Sequence, residues 1–235
     1  MTWIFIEQSD VWLFRDGKPF SAGEEHRAHS LFPPSPMTVQ GILRGMFLGH
    51  SNADWLAYRE QRPNDADVAA IAQQIGHPAF QRNGVTTAPS LGTFSMAGPF
   101  LARREEQRIV RFTPLPSDVV REKRVHGKHF ALRPTKATSM ITHWPHKALH
   151  PLWPEQEDDI EAPEGSFWLD ESGLDAYLAE ASFGVYTDEK LYTAESRFGI
   201  AIDYKMGRVR KDEGMLYQAE FIRTNKDVGL LVQLG

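Results

Sequence analysis

The alternation of apolar and polar positions predicts strands near both ends of the chain and helices between them. Trp3 to Ile6 is a run of β-branched and aromatic residues ended by Gln8, Ser9 and Asp10, which predicts a short strand. Val11 to Phe14 is a second apolar piece, and Asp16-Gly17 marks a tight turn soon after it. In Ser30-Leu31-Phe32-Pro33-Pro34-Ser35-Pro36, three prolines in four positions fix φ and exclude helix, so the segment is rigid and extended. A helix follows it. Ser35 or Thr38 can cap it, and Val39, Ile42, Leu43, Met46 and Phe47 recur at the spacing of one helical face. Arg44 lies off that stripe, and Gly49 can end the helix. Gly41 and Gly45 sit four apart inside it. Each costs ~1 kcal/mol relative to Ala, which close approach of another backbone would offset. Asp67 to Ile75 predicts a second helix, with Gly76 just past its end.

The middle of the chain reads differently. Gly98 to Glu105 and Gln107 to Phe112 predict two strands joined by a polar turn, and Pro114-Leu115-Pro116 stops the second. From Val119 to Pro163 the texture is loop, rich in Pro, His and Trp and without periodicity. Leu174 to Ala181 predicts a short helix. Strands return at Phe198 to Asp203, Met215 to Arg223 and Val228 to Leu234, with a turn at Asn225, Lys226 and Asp227. Strands flanking helices, closed by a late antiparallel run, predict an α+β domain of the ferredoxin-like kind.

Composition adds little until the charge is located. The 235 residues are 41% hydrophobic and 24% charged, which is ordinary for a globular chain. No apolar run reaches the ~20 residues of a membrane helix. The N-terminus has no basic flank and does not read as a secretory signal. There is no cysteine, which excludes disulfides and thiol catalysis and fits a reducing cytoplasm. The formal net charge of −5 argues against nucleic acid, which usually selects a basic excess. Its distribution argues otherwise. Leu101 to His150 carries eleven basic and four acidic residues, whereas Pro151 to Lys190 carries one basic and twelve acidic. Two readings follow: a basic surface for phosphates with a separate acidic surface, or two solvated blocks that neutralise each other.

Most familiar chemistry is missing. There is no phosphate-binding Gly-x-x-x-x-Gly-Lys loop, no dinucleotide-binding glycine motif and no Gly-x-Ser-x-Gly elbow. His143, His146 and His150, and His126 with His129, have metal-ligand spacing. However, Pro145 and Pro151 interrupt any helix and no carboxylate lies between Arg124 and Trp153, so no metal is expected. Glu157, Asp158 and Asp159 have no apolar wall to raise a pKa and read as a solvated face. The positive signal is cationic. Arg103, Arg104, Arg108, Arg111, Arg121, Lys123, Arg124, Lys128, Arg133 and Lys136 are interleaved with Phe112, Phe130 and Trp144. Cations neutralise phosphates and aromatic faces stack on unpaired bases, which is the physics of single-strand recognition. Arg197, Arg208 and Arg210 flank a late turn, where a plain strand-turn-strand does not call for them.

Several pieces together resemble a known family. They are Asp10-Val11-Trp12-Leu13-Phe14-Arg15-Asp16-Gly17-Lys18-Pro19-Phe20, the run Ser30 to Arg44, Pro114-Leu115-Pro116-Ser117-Asp118, and the run Arg197 to Arg223. The chain resembles subunit three of the Cmr complex, the RAMP-superfamily family of type III-B CRISPR effectors. The resemblance implies a ferredoxin-like, RRM-like RAMP fold with an inserted β-hairpin thumb and long loops. It implies one RAMP-type domain over residues 1–235, with a basic and acidic insertion at about 101–190. It also implies a non-catalytic cytoplasmic subunit without cofactor. Such a subunit holds the 5′ tag of the CRISPR RNA (crRNA), caps the foot of the complex, and meets target RNA only indirectly. Its expected neighbours are the large Palm-domain subunit and a backbone RAMP subunit. RNA contacts are expected from Arg15, Lys18, Ser35, Thr38, Arg44, Arg103, Arg104, Arg124, Lys128, Arg197, Arg208, Arg210 and Lys211. Amides at the start of the Thr38 helix can add a phosphate site. Family members continue into a glycine-rich segment and a second RAMP-like half, which would begin near Leu230 to Gly235, where this sequence stops. Two alternatives stand beside this reading. One is an endoribonuclease using His26, His126 or His129 as general acid or base. The other is a pure protein-interaction module.

Overall fold

A computed structural model describes residues 1–17, 27–61, 65–82, 85–123, 128–134, 150–154, 159–200, 202–203, 205, 207–209 and 216–235. In chain order, the main elements begin with β1 (Thr2–Ile6), β2 (Arg27–Ala28), α1 (Pro36–His50), α2 (Trp55–Arg59), α3 (Ala66–Ile75) and β3 (Met96–Glu105). They continue with β4 (Arg108–Pro114), β5 (Val119–Glu122), β6 (His129–Ala131), β7 (Ile160–Glu161) and β8 (Phe167–Asp170). The last are α4 (Glu171–Leu178), β9 (Tyr186–Thr187), β10 (Tyr192–Ile200), β11 (Leu216–Thr224) and β12 (Val228–Leu234). The fold is mixed α+β with several antiparallel sheets. Among the described residues no helix is long and apolar enough to cross a membrane. The chain divides into two compact units. Met1–Phe100, Ser196–Phe221 and Gly229–Gly235 form the first, and Leu101–Glu195 with Ile222–Val228 the second.

In the first unit β12 is the central strand. Val228 to Val232 is buried without a break, as expected of a strand with partners on both edges. It pairs antiparallel with β1, Thr2 facing Leu234 and Ile6 facing Leu230, and its other edge meets β3. Helix α1 lays Val39 and Leu43 on Val232, with Ile4, Phe94 and Met96 around them. Ser35 is its cap: the Oγ accepts from the Thr38 amide at 3.3 Å, and Pro36 opens the first turn. The predicted stripe is only half right, because Ile42 and Met46 are exposed and Leu48 is buried instead. Leu48 belongs to a second cluster with Ala57, Tyr58, Val68, Ile71 and Ile75, which draws the packed face around the helix. Gly49 does not end α1; the helix runs on to His50 and Ser51 caps it. Nor does any backbone approach Gly41 or Gly45, where an added Cβ would meet nothing within 4 Å. Helix α3 ends as expected at Gly76, whose φ of +78° and contact with Ser90 exclude a side chain.

The second unit is built on the predicted hairpin. Leu101 to Glu105 of β3 pairs with Phe112 to Arg108 of β4, turning at Glu106, φ 42°. β8 pairs with β4 and β9 with β8. Leu101, Ala102, Phe112, Trp168, Leu169 and Leu191 fill the core. The predicted helix at Leu174 starts earlier, at Glu171, because Asp170 accepts the Gly173 amide at 2.7 Å. The stretch from Val119 to Pro163, expected as loop, contains a small antiparallel sheet in the order β7-β5-β6. Its strands are two to four residues long, too short to leave a period in the sequence.

Candidate nucleic-acid interface

Motif segments that are far apart in sequence meet in the first unit. Ser196–Ile200 of β10, Leu216–Phe221 of β11 and β2 form a three-stranded sheet, with β2 parallel to β11. The residues after β2 tie the opening motif to that sheet. Arg15 bridges Ser30, and the Leu31 amide donates to the Phe14 carbonyl at 2.9 Å. The Ser30 hydroxyl donates to the Glu220 carbonyl at 2.6 Å. The Arg27 guanidinium and the His29 ring nitrogen lie 3.1 and 3.6 Å from the Glu220 carboxylate. Arg197 bonds Asp10 at 3.1 Å and lies over the Phe221 ring at 5.0 Å. Strand alternation puts Arg197, Gly199, Tyr217 and Phe221 on one face. The Tyr217 ring covers Gly199, at a spot where a Cβ would collide with it. On the opposite face Phe198 is 68% exposed beside exposed Ile200. Trp12 stacks on Phe14 at 5.4 Å with its indole nitrogen buried and unpartnered. Exposed rings beside guanidiniums are the parts a single-stranded nucleic acid needs.

The start of α1 is less open than expected. The Thr38 and Val39 amides both end on Ser35, and the Ser35 and Thr38 hydroxyls share a hydrogen bond of 3.0 Å. A phosphate there would have to displace the cap. Arg44 stands apart from this cluster: it is half-buried in a groove between α1, α2 and the segment after α3.

The second unit decides between the two readings of the charge blocks. Arg111 pairs with Glu171 at 2.8 Å, Arg121 with Glu161 at 2.7 Å, Lys123 with Asp159 at 2.7 Å, and Arg133 with Glu180 at 2.8 Å. Each joins the basic block to the acidic one, so for these residues neutralisation is the outcome. Asp159, read as part of a solvated face, is Lys123's partner, while Glu157 and Asp158 lie outside the described residues. Arg103 is also engaged. It forks onto Glu105 and lies over Phe112 and Tyr186 at 5.4 and 5.6 Å. Burial disfavours its charge, but the bonds to Glu105 and Tyr186 prevail and hold its pKa above the usual arginine value. Tyr186 in turn donates to Asp170 at 3.0 Å. Burial opposes the Asp170 charge, yet the Gly173 amide, Ser172, Tyr186 and Arg103 hold its pKa below the usual value. The Arg104 amide donates to the Asp227 carbonyl at 2.8 Å. Lys128 lines a cavity of about 560 Å³ with His129, Phe130, Arg133 and Phe183, and it makes no ion pair among the described residues. His129 leans on Phe167 at 5.2 Å with Nε2 buried and unpartnered; burial, then Arg121, pushes its pKa down.

Of the expected contacts, the structure brings Arg15 and Arg197 into the motif cluster and places Ser35 and Thr38 at the cap of α1. It puts Arg103, Arg104 and Lys128 in the second unit. Lys18, Arg124, Arg210 and Lys211 lie outside the described residues, as do His26, His126, His143 and His146. Arg208 is placed only as backbone, in a short pairing of Arg208–Val209 with Ile202–Asp203. Sequence reasoning passed over Trp12, Phe198 and Tyr217, although all three fall inside the quoted motifs. The signal was alternation along β10, which puts Phe198 opposite the glycine-bearing face.

The chain is of the mixed α+β class and gathers cations and aromatic rings from distant segments around one sheet. Its family is specific: residues 4–234 match the family described as CRISPR-associated protein (Cas_Cmr3), and the chain belongs to that family. No curated protein matches it. A chain from a solved structure, described as "Cryo-EM structure of the Type III-B Cmr-beta bound to cognate target RNA and AMPPnP, state 1", aligns at 13% identity with a TM-score of 0.45. That alignment covers 100% of this chain and 54% of the other, so the chain spans about half the length of its structural counterpart.

Proposed function

We propose that the protein is a non-catalytic RNA-binding subunit of a type III-B CRISPR effector, with the ferredoxin-like RAMP fold of its family. It grips the 5′ tag of the crRNA at the foot of the complex, in the cytoplasm, and works in antiviral defence. The large Palm-domain subunit and a backbone RAMP subunit are its neighbours, and target RNA reaches it indirectly. Membership of the Cmr3 family supports the assembly. Arg197 and exposed Tyr217 share one face of the three-stranded sheet, with Arg15 tied beside the sheet through Ser30 and exposed Phe198 on the other face; this gathering supports the RNA contact and is the observation that carries it. Lys18, Arg208, Arg210 and Lys211 fall in the same family motifs and are proposed as further RNA contacts. Arg103, Arg104, Arg124 and Lys128 are a second set, of which Lys128 is the cation without an ion pair among the described residues. The test is equilibrium binding of tagged and tag-scrambled RNA, by the chain alone and in the complex. Tighter binding of the tagged RNA in the complex is expected; equal affinity there removes the tag-reading claim.

One observation favours a second reading. His129, its pKa lowered by burial and then by Arg121, lines a cavity with Lys128 and Arg133, an arrangement open to general acid–base work on RNA. Cleavage of repeat RNA by the purified chain, lost in His129→Ala, would replace the non-catalytic reading.

A further inference from the structure

We propose that the groove on the outer side of α1 seats a helix of a partner protein, and that the helix brings a carboxylate to Arg44. The inference rests on the chain being one subunit of a larger assembly. The groove has a volume of about 330 Å³ and lies between α1, Trp55 and Tyr58 of α2, and the segments at His77 and Leu91. Its rim is apolar: Trp55 is 60% and Leu91 92% exposed, and Ile42 and Met46 are exposed nearby on α1. Leu48 and Ile75 are its buried apolar lining, and two polar atoms among them go unanswered. Arg44 makes no ion pair among the described residues, and its Nε is buried without a hydrogen-bond partner. Nδ1 of His77 is in the same condition. The Tyr58 hydroxyl donates to the Gly76 carbonyl at 2.6 Å, and neither nitrogen bonds to it. An unanswered buried donor is costly, and a guanidinium is best answered by a carboxylate.

The same surface argues for a helix of protein rather than for RNA. Among the described residues, Arg44 is the one Lys or Arg lining the groove, whereas a nucleic-acid strand is held by several such cations along its backbone. A largely apolar surface with aromatic residues and a single arginine is instead the composition of a protein interface core, where other charged residues are depleted. Gly41 and Gly45 line the groove and open the α1 surface to solvent, with no atom within 4 Å of a would-be Cβ. Side chains there would hold a partner helix away; their absence lets its ridge settle against α1. The glycines weaken α1 and gain nothing within this chain, and a partner supplies the missing compensation.

The test uses the assembled complex. Photo-cross-linking from p-benzoyl-phenylalanine in place of Met46 should capture a helical segment of another subunit that contains Asp or Glu. Arg44→Glu should weaken that association at least tenfold, and replacing the captured acid with Arg should restore it. Gly45→Ala gives an independent reading: the free chain should melt at a higher temperature, because α1 gains helix propensity, while assembly weakens. RNA binding by the isolated chain should not change in either variant. Its loss with assembly intact would overturn the proposal and put Arg44 on RNA. Cross-links only to RNA or to a second copy of this chain would also overturn it, as would unchanged assembly in Arg44→Glu.

Discussion

Two groups of cations in this protein look alike in sequence and meet different fates. Arg111, Arg121, Lys123 and Arg133 lie in the densest basic stretch, yet each ends on a carboxylate from the acidic stretch that follows. Arg197 is one of a sparser set; it too meets a carboxylate, Asp10, but it also lies over the Phe221 ring on the sheet where the opening and closing motifs meet, with Tyr217 exposed on the same face. Charge density along a chain therefore reports poorly on the company a charge keeps. What separates the groups is partners brought by the fold: the first meets Glu161, Asp159, Glu171 and Glu180, whereas Arg197 meets Asp10 together with a ring.

The sharpest way to break the comparison is to remove one member from each side. Phe198→Ala should cost the assembled complex about 1–3 kcal/mol in RNA affinity, the range for loss of one base-stacking ring. Arg121→Ala should cost less than half as much. Filter binding across a salt series separates the two, and equal losses would dissolve the distinction. Arg103→Ala tests whether that arginine is structural. It should lower folding stability by about 1.5–3 kcal/mol, because charge-assisted bonds to Glu105 and Tyr186 are lost; RNA affinity unchanged beside that loss takes Arg103 out of the second set of RNA contacts. Denaturant melts and the same binding assay read both sides. A smaller effect follows from unmasking the paired cations. Glu161→Gln with Asp159→Asn should cost little stability, as exposed pairs do. That pair of changes should also steepen the salt dependence of binding to unrelated RNA. The smallest effect is on pH. Burial and Arg121 hold the His129 pKa below its ordinary 6.5, so the unfolded chain takes up a proton that the fold refuses. The neutral ring is accommodated in full above pH 6.5, and stability falls as pH drops from there toward the lowered folded value. His129→Gln should flatten that part of the stability curve; an unchanged slope would assign it to another group.

What the sequence disclosed and what it hid follow one physical division. Local chemistry was legible. Ser35, one of two candidate caps, placed the start of α1, though Pro36, read as extended, is its first residue; Gly76 placed the end of α3, and the polar turn at Glu106 the hairpin in the second unit. Val228 to Leu234 was legible as a strand, but not as the central one. Features set by distant partners were not legible. Ile42 and Leu48 are both apolar residues on α1, and only the packing of α2 and α3 decides which is buried. The Arg111–Glu171 pair spans sixty residues, and no local spacing announces it. Alternation in β10 separates Phe198 from Gly199, but only the placement of Tyr217 shows which face is covered. The glycines of α1 read as a cost that close approach of another backbone would offset, and among the described residues no backbone approaches them.

The most direct test is a cross-linking map of the crRNA tag in the assembled complex, using 4-thiouridine at each uridine of the tag and peptide mass spectrometry. The account predicts cross-links in the peptides carrying Arg15, Phe198 and Tyr217. Cross-links confined to residues 103–134, with none on the motif sheet, would contradict it.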